Sequence, residues 1–121
     1  MYKRQNKLSA ELGNADVELV RKELGTEFDM IVHEPDGILE IGQAGHSKAS
    51  GIERLCASLG IAKEDTYAFG DSANDVEMLE FVAHGIAMGN GTDVAKNAAE
   101  FVTTDIHKDG IWNGLKHYGL I

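Results

Sequence analysis

The stretch Thr66-Tyr67-Ala68-Phe69-Gly70-Asp71-Ser72-Ala73-Asn74-Asp75-Val76-Glu77-Met78-Leu79 decides how this chain is read. Residues 66–69 make a short β-prone run, and Gly70 ends it. From Asp75 to Val82 the apolar positions Val76, Met78, Leu79 and Val82 recur at helical spacing. A strand therefore gives way to a helix within a few residues. Outward from this point the same alternation repeats. The spacing predicts a helix over 48–59 with Ile52, Leu55, Cys56 and Leu59 inward, closed by Gly60. It predicts a strand at Gly85-Ile86-Ala87-Met88, a short helix over 93–98 capped by Thr92, a strand at Phe101-Val102-Thr103, and a last helix from Gly110 to His117. Alternation of this kind implies crossover connections and a parallel sheet covered on both faces, an α/β class.

Upstream the pattern changes. The first thirteen residues are polar and aperiodic, which predicts a flexible arm over 1–13. Asn14 suits the cap of a helix over 15–24, with Val17, Val20 and Leu24 on one face and Gly25 closing it. Phe28-Asp29-Met30-Ile31-Val32 and Ile38-Leu39-Glu40-Ile41 read as strands. The turn chemistry of Glu34-Pro35-Asp36-Gly37 joins them into a hairpin over 27–41. A loop of small and polar residues, Gly42 to Ser47, follows. The expected organisation is an arm over 1–13, a small α+β lobe over 14–43 and an α/β lobe over 44–121.

Composition narrows the function classes. The chain has 121 residues, with Lys+Arg 11 against Asp+Glu 20 and a net charge of −9. A hydrophobic content of 43% with 26% charged residues is ordinary for a globular domain and argues against wholesale disorder. The acidic balance disfavours non-specific binding to nucleic acid or to anionic membrane, both of which need a basic surface. The single cysteine, Cys56, cannot close an internal disulfide, which fits a reducing, cytoplasmic setting. No apolar run approaches the roughly 18 residues of a membrane span. The basic start, Met1 to Lys7, leads into no apolar segment, so no signal peptide is expected.

Ligands of open parallel sheets bind beyond the carboxyl ends of the strands. Asp71 leaves such an end, Asp75 lies in the first helical turn, and Asn74 stands between them. Two carboxylates and an amide make an all-oxygen site of the kind hard cations such as Mg²⁺ favour. The same aspartates also suit a plain helix start, where negative charge is worth about 0.3–1 kcal/mol. Lys48 opens the preceding helix and can reach the same sheet edge, where an ammonium could neutralise a phosphate; a lone helical lysine is more commonly a solvated surface group. The glycines of Met88-Gly89-Asn90-Gly91 could let backbone amides approach an anion, or could simply form a tight turn. Gly70-Asp71-Ser72 also has the look of a Gly-Asp-Ser esterase, with Ser72 as nucleophile. The late Asp-x-x-His that such enzymes share is missed by one position at Asp105-Ile106-His107. Met78, Met88, Cys56 and the pair Trp112 and Leu115 read as core.

Taken together, Ser47-Lys48-Ala49-Ser50-Gly51, Gly70-Asp71-Ser72-Ala73-Asn74-Asp75-Val76-Glu77-Met78-Leu79, Ala87-Met88-Gly89-Asn90 and Asp109-Gly110-Ile111 resemble, in that order, the C-terminal half of haloacid-dehalogenase (HAD) superfamily phosphatases of the Cof type. The likeness covers about residues 38–121, and residues 14–41 resemble the returning end of that family's inserted α+β cap. The resemblance implies the C-terminal half of a Rossmann-like core plus a cap remnant. It implies Mg²⁺-dependent hydrolysis of a small phosphorylated metabolite through an aspartyl phosphate. Position by position, it implies that Asp71 ligates Mg²⁺, that Asp75 holds the metal's water shell and orients Lys48, and that Lys48 binds the phosphoryl group. Asn74 and Asn90 would contact phosphate.

The departure from the pattern is specific. The family nucleophile sits in an Asp-x-Asp-Gly-Thr segment, and no such segment occurs in this sequence: Glu34 and His107 stand two positions before Asp36-Gly37 and Asp109-Gly110, respectively, where an aspartate is required. The chain therefore reads as a family member beginning partway through its cap, inactive alone, with Mg²⁺ weak or absent. The alternatives are a non-catalytic binding or regulatory remnant, or one half of a split phosphatase. Loss of the first core strands would leave the strand at 66–70 with an unpaired edge, which predicts a homodimer or higher oligomer.

Overall fold

The computed structural model describes residues 7–11, 13, 16–33 and 37–121. The chain divides into two compact units, Met1–His46 and Ser47–Ile121.

The first unit is an antiparallel sheet with one helix. Strands β1 (Lys7–Glu11), β2 (Phe28–His33) and β3 (Ile38–Gln43) lie in the order β1-β3-β2. The expected hairpin is present, with Met30 opposite Ile41 and Val32 opposite Leu39. Its turn residues 34–36 lie outside the described residues. Helix α1 (Val17–Leu24) half-buries Val17, Val20 and Leu24 and exposes the rest, as its spacing requires. The cap is Asp16, whose carboxylate accepts from the amides of Glu18 and Leu19; the expected Asn14 lies outside the described residues.

Strand β1 corrects the reading of residues 7–11 as part of an arm. All five of its residues are exposed, so no apolar alternation marks it in the sequence. It forms because β3 offers an edge of main-chain partners, Leu8 opposite Ile41 and Ala10 opposite Leu39. Lys7 pairs with Glu40 across this ladder. The ammonium holds the Glu40 carboxyl below its ordinary range against the opposing effect of burial, and His33 adds to the shift.

The second unit carries the alternation read from the sequence: α2 (Lys48–Leu59), β4 (Tyr67–Gly70), α3 (Val76–Phe81), β5 (His84–Ala87), α4 (Asp93–Ala98), β6 (Phe101–Val102) and α5 (Gly110–His117). The three strands form a parallel sheet in the order β4-β5-β6. Period-two alternation divides its side chains between the two faces. Ala68 joins Met78 and Val82 of the α3 region in a buried cluster, with Ile52 of α2 and Phe81 against it. Phe69 and Ile86, paired in register, turn the other way and meet Gly114 of α5. Ile86 has no solvent exposure and anchors this side of the core.

Two expectations about the core are corrected. Ile52 packs inward, but Leu55 is 57% and Leu59 62% exposed, because α3 covers only part of the apolar stripe of α2. Trp112 is 51% exposed and carries the Lys116 ammonium 4.6 Å above its ring. Cys56 is half-buried, and Met78 and Met88 are buried as expected. Among the described residues, β4 has a strand partner on one side only. No helix among them is long and apolar enough to cross a membrane.

Candidate functional site

The carboxyl ends of β4 and β5 deliver the two motif loops, and the amino end of α2 delivers the lysine. Ser47 caps α2 through a reciprocal box in which its hydroxyl accepts from the Ser50 amide while the Ser50 hydroxyl accepts from the Ser47 amide. Lys48 is then the first helical residue, where the positive end of the helix dipole disfavours a cation. Asp75 offsets that cost. Lys48 Nζ donates to Asp75 Oδ1 at 2.5 Å, with the lysine side chain 49% exposed and the aspartate side chain 6% exposed.

Asp75 is buried, yet every polar atom of its carboxylate is engaged. Oδ1 takes Lys48, and Oδ2 accepts from the amides of Asp71 at 2.9 Å and Ser72 at 3.3 Å. Burial pushes its pKa up. The bonds from Lys48, Asp71 and Ser72 outweigh that and hold the carboxyl below the ordinary 3.8. Gly70 makes this closeness possible, since a Cβ there would lie 2.6 Å from Asp75 Cβ. The Ser72-x-x-Asp75 pair is itself a capping box opening the short turn Ala73–Asp75 ahead of α3, a signal legible in the sequence.

Asp71 is exposed, and among the described residues its carboxylate takes no hydrogen bond or ion pair. Its main chain is fixed at both ends: the amide donates to Asp75, and the carbonyl accepts from Thr92. Asn74 Oδ1 accepts from the Ser72 hydroxyl at 2.6 Å, which leaves the Asn74 amide nitrogen as a donor. The Ser72 hydroxyl is thereby spent on an amide rather than on a histidine, which removes the geometric basis of an esterase nucleophile.

The β5 loop resolves its two readings in favour of a turn. The Gly91 amide donates to Met88 O and the Gly89 amide to Thr104 O, so neither glycine presents its N–H to an anion. Asn90 Oδ1 accepts from the Ile106 amide at 2.9 Å and straps down the segment after β6; only its amide nitrogen remains for a substrate. The structure thus brings Lys48, Asp71, Asn74 and Asp75 together and places Asn90 on the adjoining loop.

The donors fit a hard cation in kind but not in number. Among the described residues no three His, Cys, Asp or Glu side chains gather as a metal-holding group. Asp75 is committed to Lys48 and two amides, so of the two motif aspartates Asp71 keeps the open carboxylate.

The family model of haloacid dehalogenase-like hydrolases matches residues 3–115. The chain belongs to that family. An uncharacterised Geobacillus stearothermophilus protein is 54% identical over 78 residues, 64% of this chain and 82% of that protein. The 5-amino-6-(5-phospho-D-ribitylamino)uracil phosphatase YitU of Bacillus subtilis is 42% identical over 84 residues, 69% of this chain and 31% of its own. A hypothetical protein of Geobacillus kaustophilus, known from its crystal structure, superposes with a TM-score of 0.76 at 43% identity, over 95% of this chain and 43% of the other. This HAD chain therefore spans less than half the length of the YitU phosphatase and of the Geobacillus kaustophilus structure. The parallel α/β sheet with flanking helices agrees with the Rossmann-like class expected from the sequence.

Proposed function

We propose that Lys48, Asp71, Asn74 and Asp75 are the C-terminal half of a Cof-type phosphatase centre that hydrolyses the phosphate monoester of a small metabolite. The observation that carries this is the 2.5 Å pair between Lys48 and the buried Asp75, which holds a cation at the sheet edge where phosphate would sit. Lys48 offsets the charge of the phosphoryl oxygens, and Asp75 fixes where its ammonium points. The Asn74 amide nitrogen donates to a phosphoryl oxygen, and the Asn90 amide nitrogen, on the adjoining loop, serves the same anion. Asp71 offers the open carboxylate that a hard cation would use. One such carboxylate is not a cation site, so Mg²⁺ binding by this chain alone is weak.

The family reaction forms a bond from an aspartate oxygen to phosphorus while the ester oxygen leaves with its electron pair and takes a proton; water then cleaves the acyl phosphate. None of these 121 residues stands in the required Asp-x-Asp-Gly-Thr motif. The chain by itself is therefore catalytically silent, and the first unit is the returning part of a cap. The edge of β4 that has no strand partner among the described residues and the exposed Leu55 and Leu59 support self-association as a homodimer or higher oligomer. The single cysteine and acidic balance agree with a cytoplasmic protein that binds neither nucleic acid nor membrane.

The test is complementation. Mixing the chain with an N-terminal portion of a relative that carries Asp-x-Asp-Gly-Thr is expected to restore hydrolysis of p-nitrophenyl phosphate, and Lys48→Met or Asp71→Asn is expected to abolish it. Turnover by the isolated chain that survives Asp71→Asn would overturn the proposal. Failure of every mixture would favour a non-catalytic remnant.

A further inference from the structure

Thr92 occupies the N-cap position of α4, yet its hydroxyl does not cap the helix. A threonine in that position ordinarily accepts a bond from an amide two or three residues on. Here the hydroxyl instead donates to Asp71 O at 3.3 Å, beside the Thr92 amide, which donates to the same oxygen at 2.8 Å. The preceding residue lies flat on the same peptide. A Cβ on Gly91 would come 3.0 Å from Asp71 O and 3.1 Å from Asp71 Cα. Asp71 is thus held from two directions: Asp75 takes its amide, Thr92 takes its carbonyl, and Gly91 packs against its carbonyl and α carbon.

We infer that Thr92 is a positioning residue for Asp71, its hydroxyl diverted from capping α4 to fixing the turn that aims the one open carboxylate of the site. A main-chain carbonyl with two donors cannot rotate its peptide without losing both, so the φ and ψ that direct the Asp71 side chain are pinned. The catalytic relevance of this hook rests on the reading of Asp71 under the proposed function; the hook itself does not.

The test uses the full chain, labelled with ¹⁵N, and compares Thr92→Val with Thr92→Ser. Thr92→Val keeps the shape and the amide bond and removes the hydroxyl. It is expected to move the amide resonances of Asp71 and Ser72, to speed hydrogen exchange of the Asp71 and Thr92 amides roughly two- to tenfold, and to leave the exchange of the α4 amides unchanged. Thr92→Ser is expected to restore both readouts. Faster exchange at Val94 and Ala95 with no change at Asp71 would show the hydroxyl to be an ordinary helix cap and overturn the inference. If Asp71→Asn leaves a complemented phosphatase fully active while the Thr92 results hold, the assignment of Asp71 fails and the hook stands.

Discussion

Lys48 and Asp75, twenty-seven residues apart in sequence, meet at 2.5 Å at the carboxyl edge of the parallel sheet. The aspartate is buried and the lysine half in water, so the pair is a carboxylate sunk beneath an exposed ammonium. Lys48→Met leaves Asp75 with two amide donors and no counter-charge. Discounted for solvent at the lysine, the loss is about 1–2 kcal/mol, readable as a lower urea midpoint at neutral pH.

The same pair sets an acid limit. The native pKa of Asp75 lies below the 3.8 of the unfolded chain, so its contribution is complete above that value. As pH falls through 3.8 the unfolded state takes up the proton first, and the contribution fades until the lower native pKa is passed. Urea midpoints followed downward from neutral pH should fall in this range for the native sequence and fall less for Asp75→Asn. Parallel curves for the two proteins would refute the assignment.

Gly70 is a steric requirement. A methyl group there meets Asp75 Cβ at 2.6 Å, and both atoms are tied to backbone. Gly70→Ala should cost about 1–3 kcal/mol by overpacking and should displace Asp75 from Lys48. Thermal melting reads the first effect, and the loss of the pH dependence just described reads the second.

Tyr118 donates its hydroxyl to Glu100 Oε2 at 3.1 Å, and the same oxygen lies 2.9 Å from His84 Nδ1. Burial and the adjacent carboxylate push the phenol up to about 12. Its folded pKa exceeds the ordinary 10.0, so this contribution is present below that value and lost as pH climbs toward 12. Ultraviolet titration should show a late tyrosine ionisation that disappears in Tyr118→Phe and moves earlier in Glu100→Gln.

Self-association is expected through the β4 edge that lacks a strand partner among the described residues and through the apolar side of α2. Light scattering behind size exclusion should give a multiple of 13.1 kDa at micromolar concentration, and Leu59→Asp should lower it. A clean monomer for the native sequence would remove this expectation.

The elements themselves were legible because their causes are local. Apolar spacing and glycine stops predict a helix over 48–59 and a strand ending at Gly70, and both appear with those bounds. The lysine, the acidic motif and the asparagines were legible as residue types at given distances from strand ends. What covers each surface was not. Leu55, Leu59 and Trp112 have core-like periodicity but stand exposed, because coverage depends on which distant element packs there. Strand β1 has no pattern of its own and exists because β3 has an unpaired edge to fill.

Within the site the same division holds. Sequence order alone put Lys48, Asp71, Asn74 and Asp75 at one edge of one sheet, since strand ends and helix starts are local features. Only the folded chain decided that Asp75 would be consumed by Lys48 and two amides, that Asn90 would strap Ile106, and that the Thr92 hydroxyl would leave its helix for Asp71. Hydrogen bonds saturate: each donor or acceptor goes to whichever partner the packing brings within about 3 Å, and that choice is made across the fold rather than along the chain.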